Sequence, residues 1–309
     1  MAEKESHEAS LETNKDAKQE KILIKGRVYK GIPMVNNEAE LIGTMDIRPN
    51  DIWVCSFPRS GTTLTQELTY LIRTLDFKKA LSTQLDERFP MIDIKDDRFP
   101  YYKGIKYVEE MSSPRFIKCH LPFFLLPQQL QEGKGKIIYI ARNPKDVVTS
   151  FYRFMLWGDG LDDIENRFDK FVQMFVKGEV YYGYWPKHVL GFWEKRSSSA
   201  NMLFLKYEDL IKDTKNGCRQ IAEFLGRELS DDEVDRICNH CHVDSMRSND
   251  MVNLSYWRNI IKPIDNAGGG FMNKGKAGAW KDLLAPAVVE RLDSMIKELE
   301  GSGLDIKDE

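Results

Sequence analysis

Long apolar runs are missing from this 309-residue chain. None approaches the ~18 residues needed to span a bilayer, and the N-terminus lacks the positive-then-apolar pattern of an export signal. A strong charge of either sign is also missing. Lys+Arg number 45 against 48 Asp+Glu, a net of −3 with the signs interspersed. That excludes the global basic field that duplex nucleic acid attracts, so any anion site must be local. The five cysteines (Cys55, Cys119, Cys218, Cys238, Cys241) are odd in number and without framework spacing, which argues against a disulfide scaffold. Together these absences predict a cytoplasmic, reducing location and no membrane or nucleic-acid partner.

What is present is enough apolar material, 42% of residues, to bury a large core. Residues 1–20, "MAEKESHEASLETNKDAKQE", carry many charges and almost no large apolar side chains, the composition of a disordered tail. Residues 21–309 contain no repeat and no Pro/Gly/Ser linker, so they read as one domain. Asp51–Phe57, Arg115–Cys119, Lys136–Ala141 and Met202–Lys206 are apolar with few alternations, as strands covered on both faces are. Helical patterns follow at Thr62–Leu75, Pro144–Met155, Ile164–Val176, Trp185–Glu194 and Thr214–Leu225, with two more near Asp231–Asn239 and Pro286–Leu299. Strands alternating with helices predict a doubly wound α/β fold, a central parallel sheet flanked by helices. Ligands in such sheets sit beyond the carboxyl ends of the strands, so function is expected just after these four runs.

The first of those places is "FPRSGTT", Phe57–Thr63. Gly61 permits a turn that other residues resist, and the N–H groups that follow then point at one spot, making an anion cradle with the helix dipole and the hydroxyls of Thr62 and Thr63. A Walker nucleotide loop would need Gly at position 56 and Lys at position 62, where serine and threonine stand. The one cation, Arg59, precedes the glycine, which disfavours a P-loop kinase. His120 follows the second strand, and its imidazole can take a proton from an acceptor O–H. Lys118, two residues earlier, shares a strand face with it. Arg142 ends the third strand, and Ser150 lies in the helix after it. A guanidinium and a hydroxyl converging there suit a phosphate. "CNHCH", Cys238–His242, lacks a second ligand pair at finger-like spacing, so no metal is expected.

Taken in order, "FPRSGTTLTQEL", "RFIKCHLP", "IIYIARNPKDVVTSFY", "GEVYYGYWPKHVLGFW", "LFLKYEDL" and "NKGKAGAWK" resemble the cytosolic sulfotransferases, from about Asp51 to Lys281. The resemblance implies transfer of a sulfonate from 3′-phosphoadenosine 5′-phosphosulfate (PAPS) to a hydroxyl or amine of a small, largely apolar acceptor, leaving PAP. It implies His120 as the base and Lys118 and Arg59 as cations at the sulfonate. It places Arg59, Ser60, Gly61, Thr62 and Thr63 at the 5′-phosphosulfate, and Arg142, Ser150, Asn273, Lys274 and Gly275 at the 3′-phosphate. Tyr207 and Leu64 fall at the adenine, and Met91, Phe123, His120 and Phe154 at the acceptor.

The sequence also departs from the family pattern. Arg59 replaces a lysine, Leu64 a tryptophan that stacks on adenine, and Asn273 a cation; Val243 stands where a second aromatic is expected. A PAPS- or PAP-binding relative with weak or no turnover is therefore the alternative. The family's dimer motif reads here as "KDLLAPAVVE", Lys281–Glu290, with Ala285 and Pro286 in place of Thr-Val. Proline lacks the N–H for an edge-pairing contact, which predicts a monomer or a weak homodimer.

Overall fold

The structure is a computed structural model and describes residues 27–35, 38–158, 167–261, 271–272 and 275–306. The tail over residues 1–20, Asn273 and Lys274 lie outside the described residues. The described strands are β1 (Arg27–Tyr29), β2 (Ile32–Met34), β3 (Ile52–Ser56), β4 (Phe116–Cys119), β5 (Lys136–Ala141) and β6 (Met202–Lys206). β1 and β2 form a small antiparallel hairpin; the other four form a parallel sheet in the order β4-β3-β5-β6.

Alternation along these strands explains why both faces need cover. Trp53, Cys55, Ile117, Cys119, Ile137 and Tyr139 enter one core, while Ile52, Val54, Phe116, Ile138 and Ile140 enter another. Successive residues of a strand point to opposite faces, so an apolar run without alternation supplies two cores at once.

The helices that fill those cores and frame the site are α1 (Thr62–Thr74), α2 (Pro144–Trp157), α3 (Arg167–Lys177), α4 (Trp185–Arg196), α5 (Tyr207–Lys212), α6 (Thr214–Phe224), α7 (Asp231–His240), α8 (Val243–Ser248) and α9 (Pro286–Lys297). α1, α6 and α7 bury Leu68, Leu71, Ile221 and Ile237 in the second core. α2, α3, α4 and α9 bury Val148, Phe175, Phe192 and Leu292 in the first. The sheet is thus doubly wound, as expected.

Local chemistry sets the helix starts. The Asn143 side chain accepts from Lys145 N at 2.9 Å, and Pro144 takes the first helical position, where its missing N–H costs nothing. Ser230 and Glu233 close a capping box on α7.

Within the described residues the strand and helix boundaries shift by a residue or two from those expected, and the expected helix start at Ile164 lies outside the described residues. α1 stops at Thr74 because Leu75 takes a left-handed φ of 53°. Arg115, expected inside a strand, instead forms a buried ion pair with Asp51 just before β4 and β3 begin. The short helices Phe77–Ala80, Leu85–Arg88, Gly104–Glu110, α5 and α8 had no sequence signal. Runs of four to seven residues hold too few turns to show a 3.6-residue period.

Because all four strands of the main sheet run the same way, Ser56, Cys119, Ala141 and Lys206 end at one edge. The chain leaves β3 for β4 on one side and returns to β5 on the other, so the crevice opens at β3.

Candidate active site

Between β3 and α1 the chain makes a tight loop with two left-handed residues, Arg59 at φ 69° and Gly61 at φ 102°. A side chain at φ 69° is uncommon, and such strain concentrates at functional loops. A Cβ on Gly61 would stand 2.5 Å from Tyr207 Cδ2, so only glycine lets the loop lie against that ring. Gly61→Ala is therefore expected to lower the melting temperature by several degrees and to abolish stabilisation by an added nucleotide, which a thermal-shift titration would read. An alanine variant that still gained stability from nucleotide would show that the loop is not the anion cradle. Ser60 Oγ is buried here without a hydrogen-bond partner. Such an orphan has the character of a donor waiting for an anion.

His120 lies one residue past β4 and is 7% exposed. Its Nδ1 is 2.8 Å from Ser56 O and 3.2 Å from Ser56 Oγ, and that hydroxyl is in turn 2.7 Å from Thr62 Oγ1. A carbonyl can only accept, so Nδ1 carries the hydrogen and Nε2 keeps a lone pair. Burial, followed by the Lys118 charge, holds the imidazole well below its ordinary pKa. A neutral ring with Nε2 unprotonated is the form a general base needs. Serine at position 56, where a Walker loop has glycine, is what supplies the second contact to this ring.

Lys118, Arg59 and Arg142 line the same cleft as His120. Burial pushes the Lys118 amine down from its ordinary pKa. The Arg59 guanidinium, lowered to about 9 by burial and then by Arg142 and Arg153, remains charged at neutrality. Its Nε donates to Ser150 Oγ at 3.1 Å and its Nη2 to Phe271 O at 2.8 Å. It also lies over the rings of Phe271 and Phe154, at 4.5 and 5.1 Å from their centroids. The structure thus joins Arg59 to Ser150, which the sequence assigned to separate phosphates. Arg142 donates from Nη1 to Arg59 O at 3.2 Å and from Nη2 to Lys276 O at 3.2 Å, leaving its Nε buried without a partner.

Farther out, the Arg142 guanidinium sits 4.4 Å above the Tyr207 ring, pinning that ring between the loop and a cation. Asp146 on α2 accepts from Gly278 N at 2.8 Å and Trp280 N at 3.1 Å, which anchors the chain just after Gly275. Gly275, at φ 66°, packs its backbone on Val243, and a Cβ there would meet Val243 Cγ2 at 2.7 Å. The small valine and the glycine therefore fit each other. Leu64, Thr62, Thr63 and Val243 line the same cleft. In the "CNHCH" stretch, His240 Nε2 bonds Glu67 Oε1 at 2.8 Å and His242 Nδ1 accepts from Asp244 N at 3.4 Å, so the two imidazoles face different partners.

The cleft has a volume of about 450 Å³ and continues past His120 into an apolar half lined by Met91, Phe154, Tyr182 and Trp257. Of the residues expected at an acceptor, Met91, Phe154 and His120 line this cleft. Phe123 is not among its lining residues. After Pro122 the chain makes a 3₁₀ turn, and Phe123 packs edge-on against Phe192 at 5.4 Å. Tyr182 takes a place the sequence reading missed; at φ 69°, its ring lies 5.4 Å from that of His120.

A family model described as a sulfotransferase domain matches residues 49–302. The chain belongs to the sulfotransferase family. Sulfotransferase 1A1 of Rattus norvegicus is 37% identical over 269 residues, 86% of this chain and 90% of that protein. Sulfotransferase 4A1 of Homo sapiens is 33% identical over 272 residues, 87% of each chain. A solved retinol dehydratase, in complex with androsterone and the inactive cofactor PAP, is 31% identical with a TM-score of 0.80, covering 88% of this chain and 87% of that one. As a sulfotransferase the chain is an enzyme, and its parallel-sheet fold is that of its solved relatives. Among the described residues, no helix is long and apolar enough to cross a membrane.

Proposed function

We propose that this sulfotransferase moves a sulfonate from PAPS to a hydroxyl or amine of a small, largely apolar acceptor in the cytoplasm. The observation that supports the proposal is that Arg59, Thr62, Lys118, His120, Arg142 and Ser150 line a single cleft. The buried, unpartnered Ser60 Oγ and Arg142 Nε fit anionic ends of such a donor, and the close Gly61–Tyr207 and Gly275–Val243 contacts fit a shaped nucleotide slot. PAPS supplies an activated sulfonate, whose S–O bond to phosphate breaks as the acceptor oxygen bonds sulfur, releasing PAP.

The residues of this chain divide the rest of the work. His120 Nε2 takes the acceptor proton. Lys118 and Arg59 offset the negative charge that grows during transfer, which makes a metal unnecessary. Ser60–Thr63 hold the 5′ end, and Arg142, Ser150 and Gly275 hold the 3′-phosphate, to which the family resemblance also assigns Asn273 and Lys274. Tyr207 and Leu64 flank the base. Met91, Phe154 and Trp257 keep the acceptor in apolar surroundings.

PAP is expected to raise the melting temperature more than ATP at equal concentration, because ATP can fill only one of two anion sites. Equal or larger stabilisation by ATP would sink the proposal. Arg59 favours a second reading, a nucleotide-binding relative with weak turnover, because its head is held by Ser150 and Phe271. Transfer from labelled PAPS across a broad acceptor panel separates the two. Pro286 opens α9 and has no N–H to offer an edge-pairing contact in the Lys281–Glu290 segment. A monomer or weak homodimer is the expected state, and sedimentation showing a tight dimer through this segment would contradict it.

A further inference from the structure

His188, on α4, is 1% exposed and does not line the cleft, yet it holds the residue that does the chemistry. Its Nε2 is 2.9 Å from His120 O, and its Nδ1 is 2.9 Å from Tyr139 Oη on β5. The direction of both bonds follows from chemistry. The His120 carbonyl can only accept, so His188 Nε2 carries the hydrogen. Burial lowers His188 to about 4, so at neutral pH the ring is uncharged and Nδ1 has a lone pair for the Tyr139 hydroxyl. The chain of donors therefore runs Tyr139 O–H to His188 Nδ1, then His188 Nε2–H to the His120 carbonyl.

That carbonyl needs such a partner because of where it lies. β4 ends at Cys119, and no pairing with β3 is available beyond it. The N–H of His120 is likewise taken by a side chain, Asp93 Oδ1 at 3.3 Å. Residue 120 is thus held outside the ladder by Asp93 at one end and His188 at the other, while Ser56 fixes its ring. The rings of Phe57, at 5.4 Å, and Phe192, at 5.6 Å, wedge the His188 imidazole in place.

We propose that His188, oriented by Tyr139, is a positioning residue that fixes the peptide after β4 and so aims the His120 imidazole at the acceptor. This rests on His120 being the proton acceptor. His188 itself touches neither donor nor acceptor. A misplacement of about 1 Å in a reacting group can cost roughly 10² in rate, so loss of the donor should appear in kcat and not in binding.

The test is steady-state transfer at saturating PAPS with His188→Phe, His188→Gln and Tyr139→Phe, alongside PAP affinity and His120→Ala. His188→Phe is expected to lower kcat roughly 10- to 10²-fold, with acceptor KM and PAP Kd within about twofold of the parent. His188→Gln keeps an N–H that reaches the same carbonyl and should recover kcat to within roughly threefold. Tyr139→Phe should give a smaller loss, about threefold, because His188 keeps its donor but loses its orientation. Three results would overturn the proposal: unchanged kcat in His188→Phe, equal losses in the Phe and Gln variants, or a fall in PAP affinity that matches the fall in kcat. If the Phe variant does not fold, full loss in His188→Gln or full activity in Tyr139→Phe overturns it instead. His120→Ala separates the layers, since turnover surviving there removes the base itself, whatever His188 does.

Discussion

Replacing His120 by alanine should lower sulfonate transfer roughly 10²- to 10⁴-fold, while PAP affinity stays within about twofold. The expectation follows from which atoms are engaged. Nδ1 is bonded to Ser56 O at 2.8 Å, so Nε2 is the nitrogen left to take a proton in the cleft that His120 lines. The hydrogen bonds of the ring go to Ser56, not to Ser60, Arg142 or Ser150, to which the proposal assigns the anions. The pH dependence has a definite sign. A base must be unprotonated, and burial and Lys118 hold His120 below its ordinary value. Its activity should therefore be constant through neutrality and fall only as pH drops below about 6.5, the unperturbed histidine value. Rates in His120→Ala equal to the parent, or a rate still climbing between pH 7 and 8 with the pKa of an ordinary imidazole, would show that another group takes the proton.

How far that site could be read from sequence depended on the kind of signal each residue leaves. β3, β4, β5 and β6 were legible because strands buried on both faces carry continuous apolar runs, and the parallel topology places their ends together. Arg59, His120, Arg142 and Tyr207 were legible for the same reason, since each stands just after a strand. Phe123 was not. It also follows a strand, but Pro122 and a 3₁₀ turn direct it to Phe192, and turn geometry of that kind leaves no periodic trace. His188 and Tyr139 were missed because their work is done across the fold. They lie 49 residues apart and meet only when α4 packs on β5. A buried histidine in "WPKH" was the one available hint, and in sequence it looks like any core residue. Tyr182 escaped notice because its role depends on a positive φ, which a tyrosine does not advertise.

Arg59→Ala should lower turnover by roughly 10² or more, the loss seen when one transition-state donor is deleted. Arg59→Lys should raise turnover above the parent, by roughly threefold or more if about 0.7 kcal/mol of ground-state hold is released. The reason lies in how the guanidinium is kept. It donates to Ser150 Oγ and Phe271 O, and its head lies over both the Phe154 and Phe271 rings. Stacking of that kind contributes about 0.5–2 kcal/mol and uses the planar head that lysine lacks. A cation serves catalysis only to the extent that it binds the developing charge better than it binds its resting partners. Ser150 adds a second cost, because the hydroxyl that accepts from Arg59 is also assigned to the 3′-phosphate, so donor binding must compete with this contact. An ammonium is compact, gives up the stacked geometry, and can turn from Ser150 toward the leaving phosphate on the same backbone at φ 69°. Single-turnover transfer from PAPS with arginine, lysine and alanine at position 59 decides the matter. A lysine variant slower than the parent would mean that the guanidinium fork itself is required. An alanine variant as fast as the parent would remove Phe57–Thr63 from the catalytic site altogether.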